Sequence, residues 1–200
     1  MEMTPDAMPI ALVLAAGFAR RFGRDKRWVR LAGGRAMIDQ VLACIEAAGL
    51  PARVVLRADD ESRTTHAWPV PLLTVAAADA KRGLGASLAA AVRQLDGDQS
   101  CLVCLADMPF IRSETYRQVA AALTAGTIAV PVFDGRRGHP VAFAAEFLPS
   151  LRALDGDRGA RALLEARRDR VVEVPVADAG IHADIDTVAD LLRVGALGQQ

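Results

Sequence analysis

An excess of charge of either sign is missing from this chain. Its 24 lysines and arginines offset 24 aspartates and glutamates, leaving a formal net charge of +0 at pH 7. A nucleic-acid binder carries a basic surplus, so no nucleic-acid partner is expected. The balance also leaves little self-repulsion and permits weak self-association. Cysteine is scarce, with only 3 residues, and an odd, sparse set argues against a disulfide framework. Cys101 and Cys104 form a C-x-x-C, but inside "CLVCLAD", which reads as a strand. Residues three apart on a strand point to opposite faces, and no second Cys/His pair completes a zinc site. Both are read as small core residues. Apolar runs never approach the roughly 18 residues a membrane span needs. The opening "MEMTPDAMPI" has no basic flank ahead of an apolar stretch, so neither a signal peptide nor a membrane association is expected, and the expected location is cytoplasmic. Internal repeats, low-complexity tracts and linkers are not seen either.

What is present is a soluble globular profile, 52% hydrophobic and 24% charged over 200 residues. That suits one compact domain over residues 1–200, with a core at about residues 9–194. Short apolar runs alternate with helical patterns. "PIALVLAAG", "ARVVLR", "VPLLTV", "SCLVCLAD", "TIAVPVF" and "RVVEVPV" read as strands, and "VAFAAEF" follows the turn "DGRRGHP". "AMIDQVLACIEAAG" carries apolar residues at helical spacing and stops at Gly49. "SLAAAVRQL" reads as a helix with Ser87 as its N-cap, and "SETYRQVAAALTAG" as one capped by Ser113 and stopped at Gly126. "GDRGARALLEAR" reads as a helix opened by Asp157. "TVADLLRVGAL" is a final helix, with Thr187 and Asp190 at capping-box spacing. Alternation of this kind predicts an α/β sheet covered on both faces. Ligands of such sheets bind outside the carboxyl ends of the strands. That selects the loop after Ala15, the loop after Leu105, and the segment around Asp184 to Asp186.

Each place carries a chemistry. "LAAGFARRFGRDK", residues 14–26, leaves a strand with almost no side-chain bulk and then supplies Arg20, Arg21, Arg24 and Lys26. Small residues let backbone N–H groups approach a ligand, and convergent cations hold a polyphosphate. One lysine about 4 Å from a phosphate charge gains roughly 4 kcal/mol at an effective dielectric near 20. Neither G-x-x-x-x-G-K-[ST] nor G-x-G-x-x-G is present, and a solvated basic loop is the plain alternative. In "CLADMP", Asp107 sits where a buried strand emerges; it is either a magnesium ligand or a turn aspartate before a proline. Asp184 and Asp186 in "DIDT" share a face of an extended chain, offering a second carboxylate ligand or a helix N-terminal charge. In "RGLGASLAA", Gly83 and Gly85 precede a helix like a backbone-reading loop, with Ser87 free to cap or to touch a ligand. His139 in "GRRGHPVAF" is a ligand, a base or a hydrogen-bonded structural residue, and the residues leave that open.

Together these pieces resemble one family. Leu14, Ala15, Ala16, Gly17, Arg21, Gly23 and Lys26 match LAAG-x3-R-x-G-x2-K, and "GLGASL", "ADMP", "GHPVAF", "GDRGAR" and "DIDT" follow in the family's order. Over about residues 10–192 the chain resembles the MobA-like nucleotidyltransferases, closest to the molybdenum cofactor cytidylyltransferase branch. The resemblance implies a Rossmann-like three-layer α/β/α fold with a mainly parallel mixed sheet. It implies transfer of a nucleotidyl group, CMP from CTP, to the phosphate of molybdopterin with release of pyrophosphate and with Mg2+ as cofactor. A transient contact with a molybdoenzyme is implied too. By position, Leu14, Ala15, Ala16, Gly17 and Gly83 lie against the nucleotide, Arg21 and Lys26 meet its phosphates, and Gly85 and Ser87 line the base region. Asp107 and Asp186 are the metal ligands, with Arg21, Lys26 and Asp107 the catalytic set. Two departures are noted: Ala106 stands where relatives often have glycine, and "AAADAKR" lacks an asparagine some of them show. The LAAG form favours CTP users over GTP users by resemblance. Other readings of the same scaffold are a different phosphorylated acceptor such as a sugar phosphate, GTP as donor, a cofactor carrier, and an NADPH-dependent reductase.

Overall fold

The computed structural model describes residues 8–17, 25–187 and 189–190. Among them, in chain order, are β1 (Ile10–Leu14), α1 (Met37–Ala47), β2 (Ala52–Arg57), α2 (Ser62–Thr65), β3 (Leu72–Val75), α3 (Ala77–Arg82), α4 (Leu84–Val92) and β4 (Cys101–Leu105). There follow α5 (Ser113–Ala121), β5 (Ile128–Phe133), β6 (Arg136–Arg137), β7 (Val141–Phe143), α6 (Leu148–Arg152), α7 (Arg161–Ala166) and β8 (Val171–Pro175). Short 3-10 turns, including Lys26–Trp28 and Ala179–His182, fill the connections.

The strands form one sheet in the order β3-β2-β1-β4-β7-β5-β6, with β8 pairing β5. Pairings β3–β2, β2–β1, β1–β4 and β5–β8 are parallel; β7 runs antiparallel to both β4 and β5. The expected mainly parallel mixed sheet is therefore present. Strand alternation sorts side chains onto two faces. Leu12, Leu14 and Val103 pack on one face with Leu88, Ala91, Leu148 and Leu151 from α4 and α6. Ala11, Val13 and Leu102 pack on the other with Ile38, Val41 and Tyr116 from α1 and α5. The result is three layers. Cys101 belongs to the first face and Cys104 to the second, so the C-x-x-C pair is split by the sheet. Both are free and buried.

Several local expectations are corrected. Ser87 is not a cap: α4 starts at Leu84, directly after Gly83 breaks the chain out of α3 with φ 118°. Ser87 is buried in the helix, and its hydroxyl donates to the Gly83 carbonyl at 3.1 Å. Ser113 is the first residue of α5 and Arg112 its N-cap, with no side-chain cap bond of its own. The capping acceptor comes from far along the chain. Buried Asp178 accepts from Arg112 N at 2.9 Å and from the Thr115 hydroxyl at 2.5 Å. α5 ends at Ala121, short of Gly126. In "VAFAAEF" the first three residues are strand; Ala145–Phe147 turn as 3-10 helix. α7 begins at Arg161 rather than near Asp157, because residues 155–157 are drawn onto the start of α4, where Gly85 N donates to the Gly156 carbonyl at 2.8 Å. At the last helix, Thr187 N donates to Asp190 Oδ2 at 2.8 Å and Asp190 N to Thr187 Oγ1 at 3.2 Å, the reciprocal pattern of a capping box. Residue 188 and the part of "TVADLLRVGAL" after Asp190 lie outside the described residues.

Candidate active site

The strand order decides where a site belongs. From β1 the chain moves outward through β2 to β3, then returns to place β4 on the other side of β1. Two neighbouring strands whose connections leave in opposite directions open a crevice at their carboxyl ends. There, Leu14 hands over to Ala15, Ala16 and Gly17, and Leu105 to Ala106 and Asp107. Ala106 N still donates to the Leu14 carbonyl at 3.3 Å. A cleft of about 450 Å3 occupies the crevice. Leu14, Ala15, Ala16, Gly17, Gly83 and Ser87 are among its lining residues. Gly85, the second residue of α4, is buried and is not among the lining residues.

The charged floor comes from three distant segments. Lys26, in the 3-10 turn Lys26–Trp28, donates through Nζ to Asp107 Oδ2 at 2.8 Å, to Asp186 Oδ1 at 2.8 Å and to the Ile185 carbonyl at 3.2 Å. Ile185 N in turn donates to the Asp107 carbonyl at 2.9 Å, which ties "DIDT" to "ADMP". Burial works against the charge on Lys26, but Asp107 and Asp186 outweigh it and hold its pKa above the ordinary lysine value. Two carboxylates and a carbonyl around one positive charge form a donor set of the oxygen type that hard divalent cations take. Asp184 points elsewhere: it is exposed, while Ile185 beside it is buried. The "DIDT" stretch therefore contributes its second aspartate to the cleft and not its first.

The walls hold residues without an expected role in a ligand site, some of them inside the quoted motifs. Asp25, Arg27, Lys81, Leu84 and Asp157 also face the cleft. Arg27 is only 7% exposed. Its guanidinium pairs with Asp25, meets Asp60 at 2.7 Å and donates to the Ala15 carbonyl at 3.3 Å. Burial would raise the pKa of Asp60, but bonds from Ser62 and the charge of Arg27 prevail and hold it below the usual carboxylate value. Arg57, at the end of β2, donates to the carbonyls of Ala16 at 3.4 Å and Gly17 at 3.1 Å. Two arginines thus grip the carbonyl side of the Ala15–Gly17 loop. The signal for them was weak: one adjoins Lys26, and the other ends a strand otherwise read only for its hydrophobicity.

The model that describes the MobA-like NTP transferase domain matches residues 11–171. The chain belongs to this family. A probable molybdenum cofactor guanylyltransferase of Mycobacterium tuberculosis (strain ATCC 25618 / H37Rv) is 29% identical to it over 201 residues, with 95% of each chain covered. The purine catabolism protein PucB of Bacillus subtilis (strain 168) is 31% identical over 189 residues, covering 89% of this chain and 91% of PucB. Among solved structures, Rv0371c from Mycobacterium tuberculosis H37Rv aligns with a TM-score of 0.82 at 25% identity, over 94% of this chain and 98% of that one. The same protein has also been crystallised in complex with manganese.

Of the residues that the MobA-like resemblance singled out, Leu14, Ala15, Ala16, Gly17, Lys26, Gly83, Ser87, Asp107 and Asp186 line this one cleft. Arg21, with Arg20, Gly23 and Arg24, lies outside the described residues. His139 sits beside the same edge, in a cis peptide with Pro140, and its backbone N donates to the Ile181 carbonyl at 3.2 Å. Burial lowers its pKa below the ordinary histidine value, against the opposing pull of Asp107, the Val103 carbonyl and Asp184. No helix among the described residues is long and apolar enough to cross a membrane.

Proposed function

We propose that this MobA-like chain transfers a nucleotidyl group, from CTP on the LAAG form of its first motif, to the phosphate of molybdopterin. The observation that carries the reading is the convergence of Lys26, Asp107 and Asp186 beside the small Ala15–Gly17 loop, at the sheet's switch point. The acceptor is a phosphate monoester whose second pKa is near 6, so it is largely dianionic at pH 7 and attacks without a general base. Its oxygen bonds to the α-phosphorus as the bond to the β-phosphate oxygen breaks, and pyrophosphate leaves. What the protein supplies is positioning and charge neutralisation. Ala16 and Gly17 bring backbone N–H groups close to the nucleotide, while Ala15 N donates to the Val55 carbonyl at 3.0 Å and anchors the loop to the sheet, and Arg27 and Arg57 engage the loop's carbonyls from behind. Gly83 and Ser87 form the wall against which the base lies, and Gly85 backs that wall by packing on residues 155–156. Arg21 and Lys26 meet the phosphates. Asp107 and Asp186 would hold a Mg2+ ion, which would neutralise charge on the transferring phosphoryl group. The manganese complex of Rv0371c supports a divalent ion in this fold.

A second reading, with GTP as donor, is favoured by the name of the curated Mycobacterium relative. Pyrophosphate release with CTP, GTP, ATP and UTP, each with molybdopterin and Mg2+, separates the two. One nucleotide should support turnover well above the others, and only with both metal and acceptor present. Silence with all four nucleotides would end the transferase reading. Turnover with a sugar phosphate but not with molybdopterin would move the acceptor.

A further inference from the structure

Lys26 is expected to serve a triphosphate, yet its head group is already engaged. An ammonium has three N–H donors. In this protein they face Asp107 Oδ2 at 2.8 Å, Asp186 Oδ1 at 2.8 Å and the Ile185 carbonyl at 3.2 Å. A lysine held in this way has no donor left for a phosphate. A divalent ion shared by Asp107 and Asp186 would in turn have to occupy the volume of the ammonium, with two like charges in contact. The two carboxylates and the carbonyl therefore make one seat for one cation, and the chain's own side chain fills it.

We propose that Lys26 is the resident counter-ion of the Asp107–Asp186 pair, and that it yields this seat to a divalent cation only when a polyphosphate arrives to take its ammonium. The inference rests on reading the cleft as a polyphosphate site. Charge stays matched throughout the exchange: the divalent ion replaces the ammonium between the carboxylates, and the ammonium pairs with the phosphate. Leaving the seat empty would set two carboxylates face to face, so neither half of the exchange is favourable alone. The stem suits the movement. A lysine head is a compact charge on a flexible four-carbon chain, and the Lys26 side chain is 19% exposed toward the cleft. Its backbone stays anchored, because the turn that carries it is capped by Asp25, which accepts from Arg27 N at 3.1 Å. Metal and polyphosphate should then bind cooperatively, each raising the other's affinity by the same factor.

The test uses Mn2+ alone and inorganic tripolyphosphate, followed through the electron paramagnetic resonance signal of the free ion. Without polyphosphate, Lys26→Met should bind Mn2+ at least about tenfold more tightly than wild type, within the usual range of site-to-site coupling. Lys26→Arg, which keeps a cation on the seat, should stay close to wild type. With tripolyphosphate, the Mn2+ affinity of wild type should rise and that of Lys26→Met should not. Equal Mn2+ affinity of folded wild type and Lys26→Met without polyphosphate would overturn the proposal. The wild-type protein offers a test that needs no substitution to fold, the nitrogen-15 signal of the Lys26 ammonium. It should move on addition of Mg2+ with tripolyphosphate and hold still with Mg2+ alone; a shift with Mg2+ alone overturns the proposal. Neither nucleotide nor molybdopterin enters these measurements, so an enzyme that turns over but fails here loses only this inference.

Discussion

Asp107 stands two residues beyond the end of β4, its side chain 26% exposed and paired with Lys26. Truncating it leaves Lys26 still bonded to Asp186, so the ammonium stays matched and Asp107→Ala should cost the fold only about 1 kcal/mol. Turnover should fall by roughly three orders of magnitude or more, the scale at which a preorganised electrostatic group acts. Near-normal pyrophosphate release from that variant would remove the carboxylate from the mechanism. Arg57 is a positioning residue, since it acts on the cleft through the Ala16 and Gly17 carbonyls. Arg57→Met keeps the stem and loses those bonds; a charged hydrogen bond is worth about 1.5–3 kcal/mol. A rise in KM of roughly tenfold or more, with a smaller change in kcat and partial recovery in Arg57→Lys, is the expected result. An unchanged KM would count against the grip. His139 gives a pH dependence. Its folded pKa lies below the ordinary value of 6.5, so the unfolded chain takes up the proton first as pH falls. The stability it contributes is complete above about pH 6.5 and is lost as pH drops through the folded value. Urea midpoints measured between pH 7.5 and pH 5 should fall more in wild type than in His139→Asn. Parallel pH profiles would show that the group does not titrate as its burial implies.

Between elements, the closest fit is that of residues 155–157 against the start of α4. A Cβ on Gly83 would lie 2.1 Å from Asp157 Oδ1 and 2.7 Å from the Gly156 carbonyl carbon, in a backbone with φ +118°. A Cβ on Gly85 would lie 2.8 Å from the Asp155 carbonyl oxygen and 2.9 Å from that of Gly156. Apart from Asp157 Oδ1, these contacts are with backbone, which cannot simply swing aside. Gly85→Ala should therefore destabilise the fold by roughly 1–3 kcal/mol, the range for overpacking a tight contact. It should also weaken nucleotide binding by moving the wall of the cleft. Thermal unfolding and nucleotide titration of this one variant check both. "GLG" and "GDRGAR" were each visible as motifs, but their mutual contact was not, because a glycine does not disclose what will lie against it. Ser113 and Asp178 teach the same lesson. Local propensity nominated the nearest hydroxyl as the cap of α5, and the fold used a carboxylate 66 residues from the amide it accepts. Strands fared better. "ARVVLR" is β2 residue for residue, since a buried strand must be apolar whatever it packs against.

At the scale of the molecule, one sheet carries the whole arrangement: the β1–β4 junction opens the cleft, and the crossovers deliver the charged segments to it. A nucleotide that bridges the Ala15–Gly17 loop and the wall at Gly83 should stabilise the entire fold by linkage. Saturation at about 100 times the dissociation constant adds roughly 2.7 kcal/mol. For a chain of this size that is about 5–10 °C in thermal midpoint. The shift should appear strongly for one nucleoside triphosphate with Mg2+ and only weakly for the others or without metal. Uniform shifts across CTP, GTP, ATP and UTP would point to a phosphate site without a base pocket. The amino-acid sequence by itself determined the alternation of strands and helices, the two-faced core and the small loop followed by basic residues, because periodicity, bulk and charge are properties of neighbouring residues; the choice of Lys26, Asp107 and Asp186 came with the resemblance to the family. Only the tertiary structure decided that Lys26 closes on both carboxylates, that Arg27 and Arg57 hold the loop from behind, that Asp178 caps a distant helix and that Asp157 turns into the cleft. These contacts join groups from 12 to 160 residues apart, and such a distance becomes a contact only when the sheet order brings the ends of its strands together.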